Sequence, residues 1–245
     1  MKTVVLAAGI SSRLLPLTIN KPKPMLPIKD DLPIMQLVIK KLMIQGYHDI
    51  IITTHYKADV IMKHFGDGRH FGVNISYSHE ADLMDTAGSL KLLENVLVDD
   101  FLVCAGSFYL LNTNLKSAES FHRKNGGVGT IVLTKMPADY LKYYGQVLIN
   151  DTNEIIVFQE KPAIPISSLV HTTYQYYSPK IFKYIQANRK QSIPTDLIPQ
   201  LLKDEQKLYS FMAPPNDLVN ISTVELYNTA KERFASWDEV EGDHI

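Results

Sequence analysis

The stretch Thr3-Val4-Val5-Leu6-Ala7-Ala8-Gly9-Ile10-Ser11-Ser12-Arg13 decides the fold. Residues 3–7 form a short, β-rich apolar run that reads as a buried first strand, too brief for a signal segment or a membrane span. Small residues directly after such a strand let the backbone approach a polyphosphate and turn its N–H groups toward it. Arg13 adds a planar fork for phosphate oxygens. Taken alone, the same residues describe a tight turn equally well.

Working outward, strand-like runs at 50–54, 73–77, 101–104 and 129–133 alternate with helical patterns, which predicts βαβ units on a largely parallel sheet, an α/β fold. Ile34, Leu37, Val38, Lys41 and Leu42 fall at helical spacing with Gly46 as the stop, and 115–124 is bracketed by Asn112-Thr113-Asn114 and Asn125-Gly126-Gly127. After about Pro137 the texture changes. Runs at 144–150 and 154–159, joined by Asp151-Thr152-Asn153, predict an antiparallel pair. Helices are expected at 178–187, 195–204 and 223–235, with strands near 208–213 and 218–221. No repeat or linker interrupts the chain, so one domain is expected over 1–245: about 1–136 and 137–235 on one continuous sheet, then an acidic tail at 236–245 that frays.

The chain has 245 residues, 45% of them hydrophobic, enough for a sizeable core. With 25 basic against 26 acidic residues it lacks the electrostatic footprint of a nucleic-acid or membrane binder, so any anion must be captured locally. A single cysteine, Cys104, excludes an internal disulfide and a thiolate metal site, and fits the cytoplasm.

Lys21-Pro22-Lys23-Pro24-Met25-Leu26-Pro27-Ile28 follows the small-residue loop, and its prolines are expected to hold two lysines on a stiff, extended, non-helical stretch. A solvated Pro/Lys loop is the ordinary alternative. The combination settles it. Leu-Ala-Ala-Gly at 6–9, Ser-Arg-Leu at 12–14, Pro-Leu-Thr at 16–18 and Pro-Lys-Pro-Met at 22–25 resemble the signature of the sugar-1-phosphate nucleotidyltransferases, the nucleoside-diphosphate-sugar pyrophosphorylases. Further matches follow in order along nearly the whole chain: Phe65-Gly66-Asp67-Gly68, Phe71-Gly72-Val73, Glu80, Thr86-Ala87-Gly88-Ser89-Leu90, Tyr144-Gly145, Glu160-Lys161-Pro162 and 219–230.

The resemblance implies a Rossmann-like mixed, mainly parallel sheet flanked by helices, with a smaller antiparallel sugar-binding region. It implies that a nucleoside triphosphate is coupled to a sugar-1-phosphate or a related phosphate with release of pyrophosphate. Arg13 would grip the triphosphate and Lys23 would neutralise charge at the α-phosphate. Ala7, Ala8, Gly9, Ser11, Ser12, Glu80, Asp85 and Gly88 would line the nucleotide pocket, although Gly88 also reads as a helix-start glycine. Tyr144, Gly145, Glu160, Lys161 and Thr173 would hold the sugar phosphate; without the resemblance, Glu160-Lys161 reads as an exposed ion pair at a strand end. Members often form dimers or tetramers, so a homo-oligomer is expected.

Five positions depart from that pattern. The family's two magnesium-holding aspartates correspond to Ser107 and Asn220, poor ligands for a hard cation that prefers charged oxygen, so the Mg2+ the family uses lacks its protein ligands here. Three family glycines are replaced, by Ser11, Asp85 and Thr173, each adding atoms where backbone comes close to ligand. Asp85 reads as a charge repelling phosphate, a surface residue or a displaced metal ligand, and Asp217 as a turn residue or a second stand-in. The departures keep open a catalytically silent paralogue that binds nucleotides or nucleotide sugars, a role that some subunits of related pyrophosphorylases fill.

Overall fold

The computed structural model describes residues 1–235; the tail read at 236–245 lies outside them. In chain order the elements are β1 (Thr3–Leu6), β2 (Pro27–Lys29), β3 (Leu32–Pro33), α1 (Ile34–Ile44), β4 (Asp49–Thr54), α2 (Ala58–Phe65), β5 (Asn74–His79), α3 (Asp85–Lys91), β6 (Phe101–Ala105) and β7 (Phe108–Leu110). There follow α4 (Leu115–Asn125), β8 (Gly129–Lys135), β9 (Gly145–Ile149), β10 (Ile155–Glu160), β11 (Leu169–Tyr177), α5 (Ile198–Lys203), β12 (Leu208–Met212), β13 (Leu218–Asn220) and α6 (Val224–Ala235).

β1 lies at the centre, paired in parallel with β4 on one side and β6 on the other, and β5 extends the sheet beyond β4. Alternation along these strands sorts their side chains into two cores. Val5, Ile50, Ile52, Leu102 and Cys104 pack with α1, while Val4, Ile51, Phe101 and Val103 pack with α3. A one-residue slip would exchange the two faces, so burial on both sides fixes the register.

β11 carries the mixed half of the sheet. It runs antiparallel to β6 over Gln175–Tyr177, meets β9 where Val170 faces Gln146, and lies along β8 on its other edge, with β12 parallel beyond. The order β10-β9-β11-β6-β1-β4-β5, with β8 and β12 branching from β11, is one nine-stranded sheet through both halves of the chain. β9 and β10 form the expected antiparallel pair. Between His171 and Gln175 the register against β8 shifts, and Thr173 there takes a left-handed φ of 72°.

Three expectations are corrected. Lys23-Pro24-Met25 closes a 3-10 turn instead of staying extended: Met25 N–H donates to Pro22 O (2.8 Å) and Leu26 N–H to Lys23 O (3.1 Å), so the prolines supply the preset φ and their neighbours supply the donors. The helix at 178–187 is only a 3-10 turn, Pro179–Tyr184, because Ile181, Phe182 and Ile185 all enter the core around Phe101 and Ile185 becomes extended. The helix at 195–204 opens as a wide π turn, Ile193–Leu197, before α5, since Pro199 lacks the N–H that would close an α turn on Thr195.

Candidate functional site

Two adjoining cavities open at the carboxyl ends of β1 and β6, where the chain's direction of travel across the sheet reverses. Parallel sheets place ligands in that crevice. The first cavity, about 210 Å3, is lined by Ala7, Ala8, Gly9, Ser11, Lys23, Asp85 and Ser107 among others. The second, about 140 Å3, is lined by Arg13, Lys23, Tyr144, Gly145, Glu160, Lys161 and Thr173 among others. Lys23 lines both, as do Leu6, Thr86 and Ala105.

The loop after β1 is pinned at its base, where Ala7 N–H donates to Thr53 Oγ1 (3.3 Å) on β4. Ser11 turns left-handed (φ 59°) and starts the 3-10 turn Ser12–Leu14, anchored by buried Leu14. Its carbonyl also accepts the Thr18 hydroxyl (3.3 Å). A Cβ on Gly9 would meet nothing nearer than Ser11 Oγ at 4.0 Å, so the missing side chain leaves open space beside the backbone, as an approaching phosphate requires.

Arg13, Lys23 and Lys161 face one volume. Lys23 is half-buried, with Nζ 5.8 Å from the centre of the Phe108 ring. Burial, and then the positive charges of Arg13 and Lys161, push its ammonium down to about 8. The one carboxylate among these cations, Glu160, is paired with Lys161 Nζ (3.1 Å), so the ion pair read from the sequence exists and forms the pocket wall. Cations crowded together without matching acids make a receptor for a polyanion. Such a receptor stabilises the charge that spreads over equatorial oxygens during phosphoryl transfer.

The sugar-side residues converge too. A Cβ on Gly145 would lie 2.7 Å from Glu160 Oε2 and 2.6 Å from the Phe158 ring, so only glycine lets that carboxylate close over β9. Thr173 Oγ1 accepts Ala105 N–H (3.3 Å), bridging the end of β6 to the bulge of β11. Burial raises the Tyr144 hydroxyl to about 12, keeping it a neutral donor.

Three of the expected nucleotide residues do not reach either cavity. Ser12 is exposed outside them. Glu80 is buried, its carboxylate accepting the Ser89 hydroxyl (2.6 Å) and Met84 N–H (3.0 Å), so it shapes the loop before α3. Gly88 sits inside α3, where a Cβ would come within 2.9 Å of Arg189 O; its role is close packing, not helix initiation. Asp217 clamps the backbone of Asn112 (2.6 Å) and Thr113 (3.0 Å) and takes the Thr113 hydroxyl, so it is the turn residue and no ligand for a cation.

The β7–β13 pairing sets Asn220 opposite Phe108, one residue from Ser107, but Ser107 lines the first cavity while Asn220 lines a separate one with Met136 and Tyr144. They do not fit a divalent cation. Ser107 offers a hydroxyl, Asn220 Oδ1 is taken by Ser222 N–H (2.8 Å), and Asn220 Nδ2 is a buried donor near the Tyr144 hydroxyl without a well-formed partner. Among the described residues no cluster of three His, Cys, Asp or Glu side chains could hold a metal.

Sequence reasoning missed Thr53, Phe108, His171 and Gln175 as cavity-wall residues. His171 and Gln175 lie two residues to either side of Thr173, and strand alternation could have pointed to them. His171 Nε2 is buried without a partner, and burial pushes the imidazole down to about 4, so it stays neutral.

Fold and site define a nucleotide-type α/β domain with a polyanion receptor at its strand ends. Residues 2–240 match the family model described as nucleotidyl transferase, and the chain belongs to that family. It is 32% identical over 223 residues to a UTP-glucose-1-phosphate uridylyltransferase of Synechocystis, covering 86% of this chain and 57% of that protein. It is 30% identical to a mannose-1-phosphate guanyltransferase of Eremothecium gossypii, covering 100% of this chain and 71% of the relative. The chain thus spans little more than half the length of the first of these. HddC from Yersinia pseudotuberculosis, solved complexed with GMP-PN, shares the fold at a TM-score of 0.78 and 22% identity, covering 95% of this chain and 99% of that one. A Bacillus anthracis protein solved with sucrose has a TM-score of 0.85 at 24% identity, covering 98% and 97%. Among the described residues no helix is long and apolar enough to cross a membrane.

Proposed function

We propose that this chain joins a nucleoside triphosphate to a sugar-1-phosphate or a closely related phosphate. A phosphate oxygen of the sugar phosphate attacks the α-phosphorus, the α–β P–O bond breaks, and pyrophosphate leaves. The observation that carries the proposal is the convergence of Arg13, Lys23 and Lys161 on one volume with a single acid between them. Arg13 and Lys23 hold the triphosphate, and Lys161 with Glu160 holds the sugar phosphate beneath Tyr144 and Gly145. The names of the relatives, uridylyl and guanyl transferases acting on hexose-1-phosphates, support the substrate class. Residues 1–136 supply the nucleotide side and 137–235 the sugar side of one domain. The setting is the cytoplasm and the assembly a homo-oligomer.

Magnesium supplies charge neutralisation in this family, but Ser107 and Asn220 do not suit it, and no step above runs through it. That misfit favours a second reading, a silent paralogue that binds nucleotide or nucleotide sugar. Pyrophosphate release across a panel of triphosphates and sugar-1-phosphates separates the two. Turnover lost in Lys23→Ala supports the enzyme, whereas calorimetric binding with no turnover on any pair supports the silent paralogue.

A further inference from the structure

The first cavity holds one carboxylate whose use the reaction leaves open. Asp85 sits at the foot of α3 with a left-handed φ of 61°, a conformation that costs a side chain about 1 kcal/mol or more and persists at sites of function. Its Oδ1 accepts Thr86 N–H (2.7 Å), and Oδ2 has no hydrogen-bond partner among the described residues. The neighbouring polar side chains on that wall are committed. Thr53 Oγ1 takes Ala7 N–H, Thr86 Oγ1 takes Ile193 N–H (2.7 Å), and the Ser89 hydroxyl goes to Glu80.

Asp85 also stands apart from the phosphate receptor. It lines the first cavity and not the second, where Arg13 and Lys161 join Lys23. With the polyphosphate on the three cations, the arm walled by Ala7, Ala8, Leu83 and Asp85 is left for the base.

We infer that Asp85 reads the nucleobase and selects guanine, an assignment that rests on the nucleotide-binding reading above. Guanine alone among the common bases presents two adjacent donors, N1–H and the 2-amino group, which fit the two oxygens of a carboxylate as a charge-assisted pair. Uracil and thymine set a single N–H between carbonyl oxygens, and adenine and cytosine set one amino group beside an acceptor nitrogen. Each of these turns a lone pair toward the carboxylate and is repelled.

The test is calorimetric binding of GTP, ITP, XTP, UTP and ATP to the full chain without sugar phosphate, with Lys23→Ala as the control for phosphate binding. GTP is expected to bind at least about 100-fold more tightly than UTP or ATP, since a site built for a hydrogen-bonding group rejects analogues lacking it. ITP, without the 2-amino group, should lose roughly tenfold. Asp85→Asn keeps the Oδ1 contact with Thr86 and tolerates the left-handed backbone, while its amide donates where Oδ2 accepted. It should weaken GTP and strengthen XTP, whose C2 carbonyl accepts that donor, and an unchanged melting temperature would exclude a folding defect. Lys23-dependent binding that is equal for all bases, a preference for a pyrimidine, or an Asp85→Asn loss common to every nucleotide overturns the assignment and leaves the nucleotidyltransferase reading standing. Absence of nucleotide binding overturns both.

Discussion

The ammonium of Lys23 lies 5.8 Å from the centre of the Phe108 ring, with Arg13 and Lys161 facing the same volume. The aromatic face softens the charge only in part. Its folded value of about 8 lies below the ordinary 10.5, so the unfolded chain holds the proton more tightly between those values. The ligand-free protein therefore gains stability as pH rises through that window. Lys23→Met should stabilise the free protein by roughly 1–3 kcal/mol at pH 7 and remove triphosphate binding. Wild-type affinity for triphosphate should fall above about pH 8 as the ammonium is lost, a trend absent from Lys23→Arg. Urea melts and calorimetry over pH 7 to about 9.5 check both signs.

Thr173 is β-branched with φ at 72°, a combination that sterics disfavour strongly. Its hydroxyl gains only the 3.3 Å bond from Ala105 N–H. Thr173→Gly should relieve more strain than that contact contributes, raising stability by about 1 kcal/mol, a rise of several degrees in Tm. A fall in Tm would mean that the hydroxyl bridge between β6 and β11 outweighs the strain.

Asp217 offers the opposite case. Buried, with three donors on its two oxygens, it ties the loop before α4 to the strand β13. Asp217→Ala should destabilise by about 3 kcal/mol because three donors lose their acceptor at once. Nucleotide affinity of the folded fraction should stay as in the wild type. A selective loss of affinity without loss of stability would return Asp217 to the site.

Local signals made the parallel half of the fold legible. In β1 the run Val4-Val5 is buried on both faces, and the left-handed Gly46 stops α1 where glycine was read as a stop. β11 was not legible, because Val170-His171-Thr172-Thr173-Tyr174-Gln175 alternates neither by hydropathy nor by size; its burial comes from β6, β8 and β9 closing on it. α2 hid for another reason: it starts at a left-handed Lys57 with no side-chain cap. In the site, Lys23 and Lys161 were legible through motifs, whereas the placement of Glu80 was not, because sequence does not say whether an acid after a strand turns to a cavity or to Ser89. The glycine replacements at 11, 85 and 173 carried information the sequence could only half express. All three prove left-handed and all line a cavity.

The nearness of Ser107 and Asn220 in the β7–β13 pairing, one residue out of register, makes the lost metal site testable without any assay of turnover. Both side chains are almost fully buried, at 2% and 3% exposure. Two carboxylates there would repel each other out of reach of water, so Ser107→Asp/Asn220→Asp should melt below the wild type in EDTA. Magnesium bridging the pair should restore much of that loss by binding only the folded form, and nucleotide affinity should become magnesium-dependent by on the order of tenfold. The single variants should show neither recovery, since one added acid leaves the other position a hydroxyl or a donor amide. A double variant as stable in EDTA as in magnesium would mean that the two positions, although adjacent in the strand pairing, do not face a common cation.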